Sequence, residues 1–154
     1  MPQVSYGSKS LNDLRDEALR IATEHGFKNA TIAEDIALFH SEASEMLEDH
    51  RAGEDVNKVW YEEKVPVVWN GEPVMFDGKQ LVRIVRHDHL YPGSREAGWD
   101  IAHPYKPCGI GSEAADILIR LFHFSGKHSI DIEQRVREKM IYNDTREFMH
   151  GKKL

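Results

Sequence analysis

Thr31-Ile32-Ala33-Glu34-Asp35-Ile36-Ala37-Leu38-Phe39-His40-Ser41-Glu42-Ala43-Ser44-Glu45-Met46-Leu47 decides the fold class. Thr31 with Glu34 three residues on is a capping box, and Ile32, Ile36, Phe39, Ala43, Met46 and Leu47 recur at helical spacing. The helix is expected to run to about Arg51, before Gly53. Working outward, Ser10 and Asp13 cap an earlier helix over 10–25, which carries Leu11, Leu14, Ala18 and Ile21 and ends at Gly26. A third helix follows Pro107-Cys108-Gly109-Ile110-Gly111, with Ser112 as its N-cap and Gly126 as its close. Its stripe is Ala114, Ile117, Leu118, Leu121 and Phe122. A fourth starts near Ser129 or Asp131, carries Ile132, Val136 and Met140, and reaches about Arg146. The expectation is an all-α, four-helix-bundle-like domain over 1–154, with a small β or irregular insertion at about 56–105 between helices 2 and 3.

Within that insertion, Val65-Pro66-Val67-Val68-Trp69 and Pro73-Val74-Met75-Phe76 flank Asn70-Gly71 and read as a tight hairpin. Asp77-Gly78 turns the chain again into Leu81-Val82-Arg83-Ile84-Val85. Pro92, Gly93, Gly98 and Pro104 mark a long irregular stretch. No internal repeat is read from the chain.

Composition narrows the function classes. The 154 residues are 40% hydrophobic and 30% charged, a globular balance, and folding at this size buries about 70% of the unfolded surface without staples. A lone cysteine, Cys108, excludes an internal disulfide and a multi-cysteine zinc site. No apolar run reaches membrane-spanning length, and Met1-Pro2-Gln3-Val4-Ser5-Tyr6 has no export pattern, so a cytoplasmic address without membrane contact is expected. A net charge of −6 argues against a nucleic-acid polymer as partner.

Two acidic pairs stand out, Glu42 with Glu45 and Glu113 with Asp116. Residues three apart on a helix project about 60° from one another, so each pair aims its carboxylates in nearly one direction. Glu42 is bracketed by Leu38, Phe39 and Met46, and Glu113 is followed by Ile117, so both border apolar stripes. If the two helices pack through those stripes, four carboxylates converge. A divalent cation relieves that crowding; all-oxygen ligands select Mg²⁺ first, with Mn²⁺ as a substitute. The plain reading is solvated acids, with Asp116 and Arg120 as an ordinary i, i+4 pair and Asp49 either joining the cluster or lying on the surface. On the fourth helix Lys139, Asn143 and Arg146 continue the line of Ile132 and Val136, which aims two cations and an amide at the bundle and suits phosphate oxygens. The plain reading there is a basic helix end favoured by the macrodipole.

This ordered set, Glu42-Ala43-Ser44-Glu45, then Lys106-Pro107-Cys108-Gly109-Ile110-Gly111-Ser112-Glu113-Ala114-Ala115-Asp116, then Lys139-x-x-x-Asn143-x-x-Arg146, resembles MazG-like nucleotide pyrophosphohydrolases, an all-α group that also holds the dimeric dUTPases. His150-Gly151-Lys152-Lys153 at the chain's end belongs to the resemblance, which covers about 10–51 and 106–153. It implies Mg²⁺-dependent hydrolysis of a nucleoside triphosphate to the monophosphate and pyrophosphate, in a homodimer or homotetramer. It further implies Glu42, Glu45, Glu113 and Asp116 as metal ligands and Lys139, Asn143 and Arg146 as phosphate contacts. Glu42 or Glu45 would orient or deprotonate the attacking water. Residues 46 to 112 form a longer spacer than is usual in that group.

Rival readings are a non-enzymatic helical protein-interaction module and a His-Asp metal phosphohydrolase using His87 and Asp88, with His89 and His103 nearby. Trp60, Trp69, Trp99 and Phe27 could stack on a base, although aromatics are more often core. Cys108 has no base near it in sequence, so a nucleophilic role is not expected. The absence of a Gly-rich phosphate loop leaves a Walker-type ATPase unsupported.

Overall fold

The computed structural model describes residues 8–27, 29–90 and 105–147. The four expected helices form: α1 (Leu11–Glu24), α2 (Ile32–Arg51), α3 (Ile110–Lys127) and α4 (Ile132–Asp144). Their ends follow local chemistry. Ser10 Oγ accepts from the Asp13 amide at 3.1 Å while the Asp13 carboxylate accepts from the Ser10 amide at 2.8 Å. Thr31 and Glu34 exchange the same pair of bonds at 3.3 and 2.7 Å, so both capping boxes close. Asp131 caps α4, accepting from the Gln134 amide at 3.0 Å.

Two helix boundaries differ from expectation. α3 begins at Ile110 rather than after Ser112, because the Gly109 carbonyl already accepts from the Ser112 and Glu113 amides at 2.8 and 3.1 Å. Gly126 lies inside α3 rather than closing it. A Cβ there would stand 2.9 Å from that of Leu19, so its role is close approach to α1; Ser129, at φ +53°, takes the left-handed position past the helix end.

The all-α expectation is overturned. Of the described residues 52% are helical and 19% lie in strands, making a mixed α/β chain. The main sheet is antiparallel with order β6-β1-β7, where β1 is Trp60–Pro66, β6 is Val82–His87 and β7 is Lys106–Cys108. The short strands β2 (Val68–Trp69) and β3 (Glu72–Pro73) pair with each other, as do β4 (Met75–Phe76) and β5 (Lys79–Gln80). Both expected turns are present, with Asn70 and Gly71 at φ +50° and +84° and Asp77 and Gly78 at +48° and +72°, the signature of type I′ hairpins.

These hairpins expose a repeat that the sequence reading missed. Val67-Val68-Trp69-Asn70-Gly71-Glu72-Pro73 and Val74-Met75-Phe76-Asp77-Gly78-Lys79-Gln80 occupy equivalent places. Val67, Val74 and Leu81 close a ring in which Val67 N–H donates to Leu81 C=O (2.9 Å), Val74 N–H to Val67 C=O (3.0 Å) and Leu81 N–H to Val74 C=O (2.8 Å). Three hairpins thus meet at one junction, and every inward amide there is satisfied.

Described residues between 41 and 116 form one compact unit, and those before and after them form another; the division falls within α2 and α3. In the first unit the buried apolar side chains are Trp60, Tyr61, Cys108 and Ile110. Trp60 and Tyr61, at the start of the insertion, therefore share the core of this unit with Cys108 and Ile110, which follow it. Gly109 sits at the centre of that packing at φ +116°, where a Cβ would come within 2.5 Å of the Lys58 carbonyl. Beside it the Arg86 guanidinium lies 4.0 Å above the Trp60 ring and bonds Glu54 at 2.8 Å and Asp88 at 2.7 Å, while Lys58 reaches Asp88 at 2.9 Å. In the second unit Phe39 meets Phe124 edge-on at 5.8 Å, and Asp35 binds Lys127 at 2.7 Å. No described helix is long and apolar enough to cross a membrane.

Candidate metal centre

Glu42 on α2 and Glu113 with Asp116 on α3 each offer a carboxylate oxygen, and these oxygens all lie within 4.8 Å of one another. The i, i+3 spacing of Glu113 and Asp116 brings the latter pair to one face, and Glu42 meets them from the other helix. Glu42 and Glu113 are each 5% exposed, and Asp116 is half-buried. Burial pushes the Glu113 carboxyl above the usual range, reinforced by the charges of Glu45, Asp116 and Glu42. Its Oε2 is buried without a hydrogen-bond partner.

An acid so placed is short of a cation. Oxygens around an octahedral Mg²⁺ at about 2.1 Å stand roughly 3 Å apart when adjacent and about 4.2 Å when opposite. The three oxygens, all within 4.8 Å of one another, are grouped close to that scale. The donor set, carboxylates without sulfur or imidazole, fits a hard divalent ion.

Glu45 departs from the expected four-acid set. It is exposed and stands outside the three-oxygen group, although its charge acts on Glu113. On the helical wheel it turns about 60° from Glu42, which carries it to the rim. Asp49 is half-buried, and its charge acts on Cys108. Lys139, Asn143 and Arg146 belong to the other unit and are exposed rather than turned into a bundle. There Lys139 and Arg146 flank the Tyr142 ring at 5.5 and 5.9 Å. Their stripe does continue from Ile132 and Val136, but α4 has no buried residue, so the line they extend is itself only half-covered.

The histidine-rich segment has other commitments. His87 Nε2 meets Glu63 at 3.0 Å and its ring stacks on Tyr105 with centroids 5.2 Å apart. Asp88 is held by Arg86 first and Lys58 second, which lower its carboxyl to about 2. No metal-ligand group among the described residues includes either residue, and His103 lies outside the described residues. Of the aromatics weighed as base platforms, Trp60 is buried beneath Arg86, Trp69 and Phe27 are exposed, and Trp99 lies outside the described residues. Burial pushes the Cys108 thiol up to about 11, which keeps it protonated and unreactive at neutral pH.

One residue of the site was missed. Lys106, at the head of β7, is the cation whose charge pulls Glu113 back toward ionisation. In the sequence it heads the motif that runs to Asp116 but was given no role, because it reads as a loop residue until β7 is seen to pair with β1. Next to the acids, Ala43, Met46, Leu47 and Ile110 line an open apolar groove of about 430 Å³. Further along α2, Ile32 and Ile36 are also exposed.

No protein-family model, curated protein or solved structure matches this chain.

Proposed function

We propose that this chain is a Mg²⁺-dependent nucleoside triphosphate pyrophosphohydrolase, releasing the monophosphate and pyrophosphate, with Mn²⁺ able to substitute. The observation that carries the reading is the grouping of Glu113, whose buried Oε2 has no hydrogen-bond partner, with the carboxylates of Glu42 and Asp116. A hard cation is the simplest group that makes this arrangement stable. The ordered acidic and basic motifs that resemble MazG-like enzymes give the reaction class.

A bound Mg²⁺ would supply polarisation of the phosphate and a more acidic water. Glu42, Glu113 and Asp116 would hold it. Glu45, exposed at the rim and one turn from Glu42, is the carboxylate best placed to take the proton of the attacking water. Lys139, Asn143 and Arg146 keep a phosphate-contacting role in this reading on the strength of the resemblance alone. The exposed apolar residues Ile32 and Ile36 of α2 suit burial against a second copy, in keeping with a homodimer or homotetramer. The same exposed face would also serve a protein-interaction module without catalysis. A cytoplasmic site of action accords with a nucleotide substrate.

The test is a panel of ribo- and deoxyribonucleoside triphosphates with Mg²⁺, scored separately for pyrophosphate and orthophosphate. Pyrophosphate release that falls by about a hundredfold or more in Glu113→Gln is expected. Orthophosphate release would refute the bond assignment, and no hydrolysis together with no Mn²⁺ binding would leave the interaction module.

A further inference from the structure

The two short hairpins of the insertion repeat one pattern, and they differ in the sign of the charge they carry. In the first, Trp69 precedes the Asn70-Gly71 turn and pairs with Glu72. In the second, Phe76 precedes Asp77-Gly78 and pairs with Lys79. Directly paired residues project from the same face, so each arm sets an aromatic ring beside a charge. The ring of bonds among Val67, Val74 and Leu81 joins the arms as successive turns about one centre, so equivalent positions share a face. On that face Trp69 and Phe76 are 74% and 72% exposed, and Glu72 and Lys79 are exposed with them. Two large aromatics left open on so small a sheet mark an interaction surface.

The charges select the partner. Glu72 and Lys79 hold equivalent places on neighbouring arms, so the surface is complementary to itself. A two-fold axis lying in the face and running between the arms would lay the first arm of one copy on the second arm of the other. Trp69 then meets the partner's Phe76, Glu72 meets the partner's Lys79, and symmetry makes each contact twice. We propose that these hairpins form an isologous contact between two copies of this chain, the Trp69–Glu72 arm of each docking on the Phe76–Lys79 arm of the other. A sugar or a peptide could stack on the rings, but neither calls for an acid and a base at matched places. The contact lies on the insertion, apart from the exposed residues of α2, and it does not depend on the metal-dependent reading.

The test is sedimentation velocity on the full chain across the micromolar range. The wild type should associate. Glu72→Lys and Lys79→Glu each place like charges at both crossings, and each should weaken association by about tenfold or more. Mixing the two variants, or combining both changes in one chain, sets opposite charges together again and should restore the wild-type constant. Misfolded chains would not recover on mixing, so restoration separates the contact from damage to the fold. Trp69→Ala with Phe76→Ala should abolish this association. A wild type that stays monomeric across that range overturns the inference and leaves the face to another partner. Association indifferent to the single reversals, or not restored on mixing, overturns it as well and leaves the oligomer to α2. Neither result bears on hydrolysis or on Mn²⁺ binding.

Discussion

Asp35 and Glu42 are both buried acids of α2, 4% and 5% exposed, and seven residues apart, close to two full turns. Each faces α3 chemistry, yet the two environments are opposite in kind. Asp35 meets Lys127 Nζ at 2.7 Å, and that ammonium also donates to the Ala30 carbonyl at 2.8 Å. Glu42 meets two further carboxylates, one of them with a buried oxygen that has no partner. A buried carboxylate must be paired or neutralised. The comparison sets an acid held by a lysine of the fold beside one grouped with other carboxylates.

The difference predicts opposite responses to mutation. Lys127→Met strands Asp35 and should lower stability by about 3–5 kcal/mol, read from chemical denaturation; Asp35→Asn in the same background should return most of it. An unchanged midpoint in Lys127→Met would dissolve the comparison. Glu113→Gln acts the other way. Without divalent ions it removes a charge that burial and its neighbours disfavour, so stability should rise slightly, read as a higher denaturation midpoint. Mn²⁺ should then raise the melting temperature of the wild type and not of Glu113→Gln, because only a ligand-competent native state gains from mass action. A metal-free loss of stability in Glu113→Gln would mean that its carboxylate already has a protein partner's support. Between these in size is Gly109→Ala, which tests the packing that carries α3 to the site. Its Cβ would stand 2.5 Å from the Lys58 carbonyl in a left-handed backbone, and a loss of about 2 kcal/mol is expected from thermal unfolding.

What could be read from the chain follows the range of the forces involved. Helix ends are set by neighbours three or four residues away, so Ser10–Asp13, Thr31–Glu34 and the Asn70-Gly71 and Asp77-Gly78 turns were legible and are found in place. The all-α reading failed where pairing is non-local. Trp60-Tyr61-Glu62-Glu63-Lys64 has no apolar alternation, because Tyr61 and Trp60 are buried on successive positions at the strand's start and the rest is half-exposed. Lys106-Pro107-Cys108 is three residues long and contains proline, and its partner strand lies more than forty residues back. Stripe position drew attention to Glu42 and Glu113, and i+3 spacing added Asp116 and Glu45; the same spacing leaves Asp116 in the three-oxygen group and Glu45 exposed outside it, because spacing does not tell core from rim. Lys139, Asn143 and Arg146 were assigned to an inward face by extrapolating from Val136, and helical periodicity cannot say where cover ends.

The smallest effect belongs to the partly exposed network of Glu54, Lys58, Arg86 and Asp88, which offers a third way of placing charge: partners present, with Arg86 and Asp88 open to water. Hydrogen bonds from Arg86 and then Lys58 lower the Asp88 carboxyl from 3.8 to about 2. A group lowered in the folded state adds stability that is complete above its ordinary value and is lost as pH falls through the folded one. The wild type should therefore exceed Asp88→Asn slightly in denaturation midpoint at pH 5. The margin should shrink between about 4 and about 2 and close below that, as Asp88 becomes protonated in both states. High salt at pH 5 should shrink it as well, because an exposed pair is screened where the buried Asp35–Lys127 pair is not. A margin indifferent to both pH and salt would show that Asp88 acts through shape rather than charge, and would take this network out of the comparison.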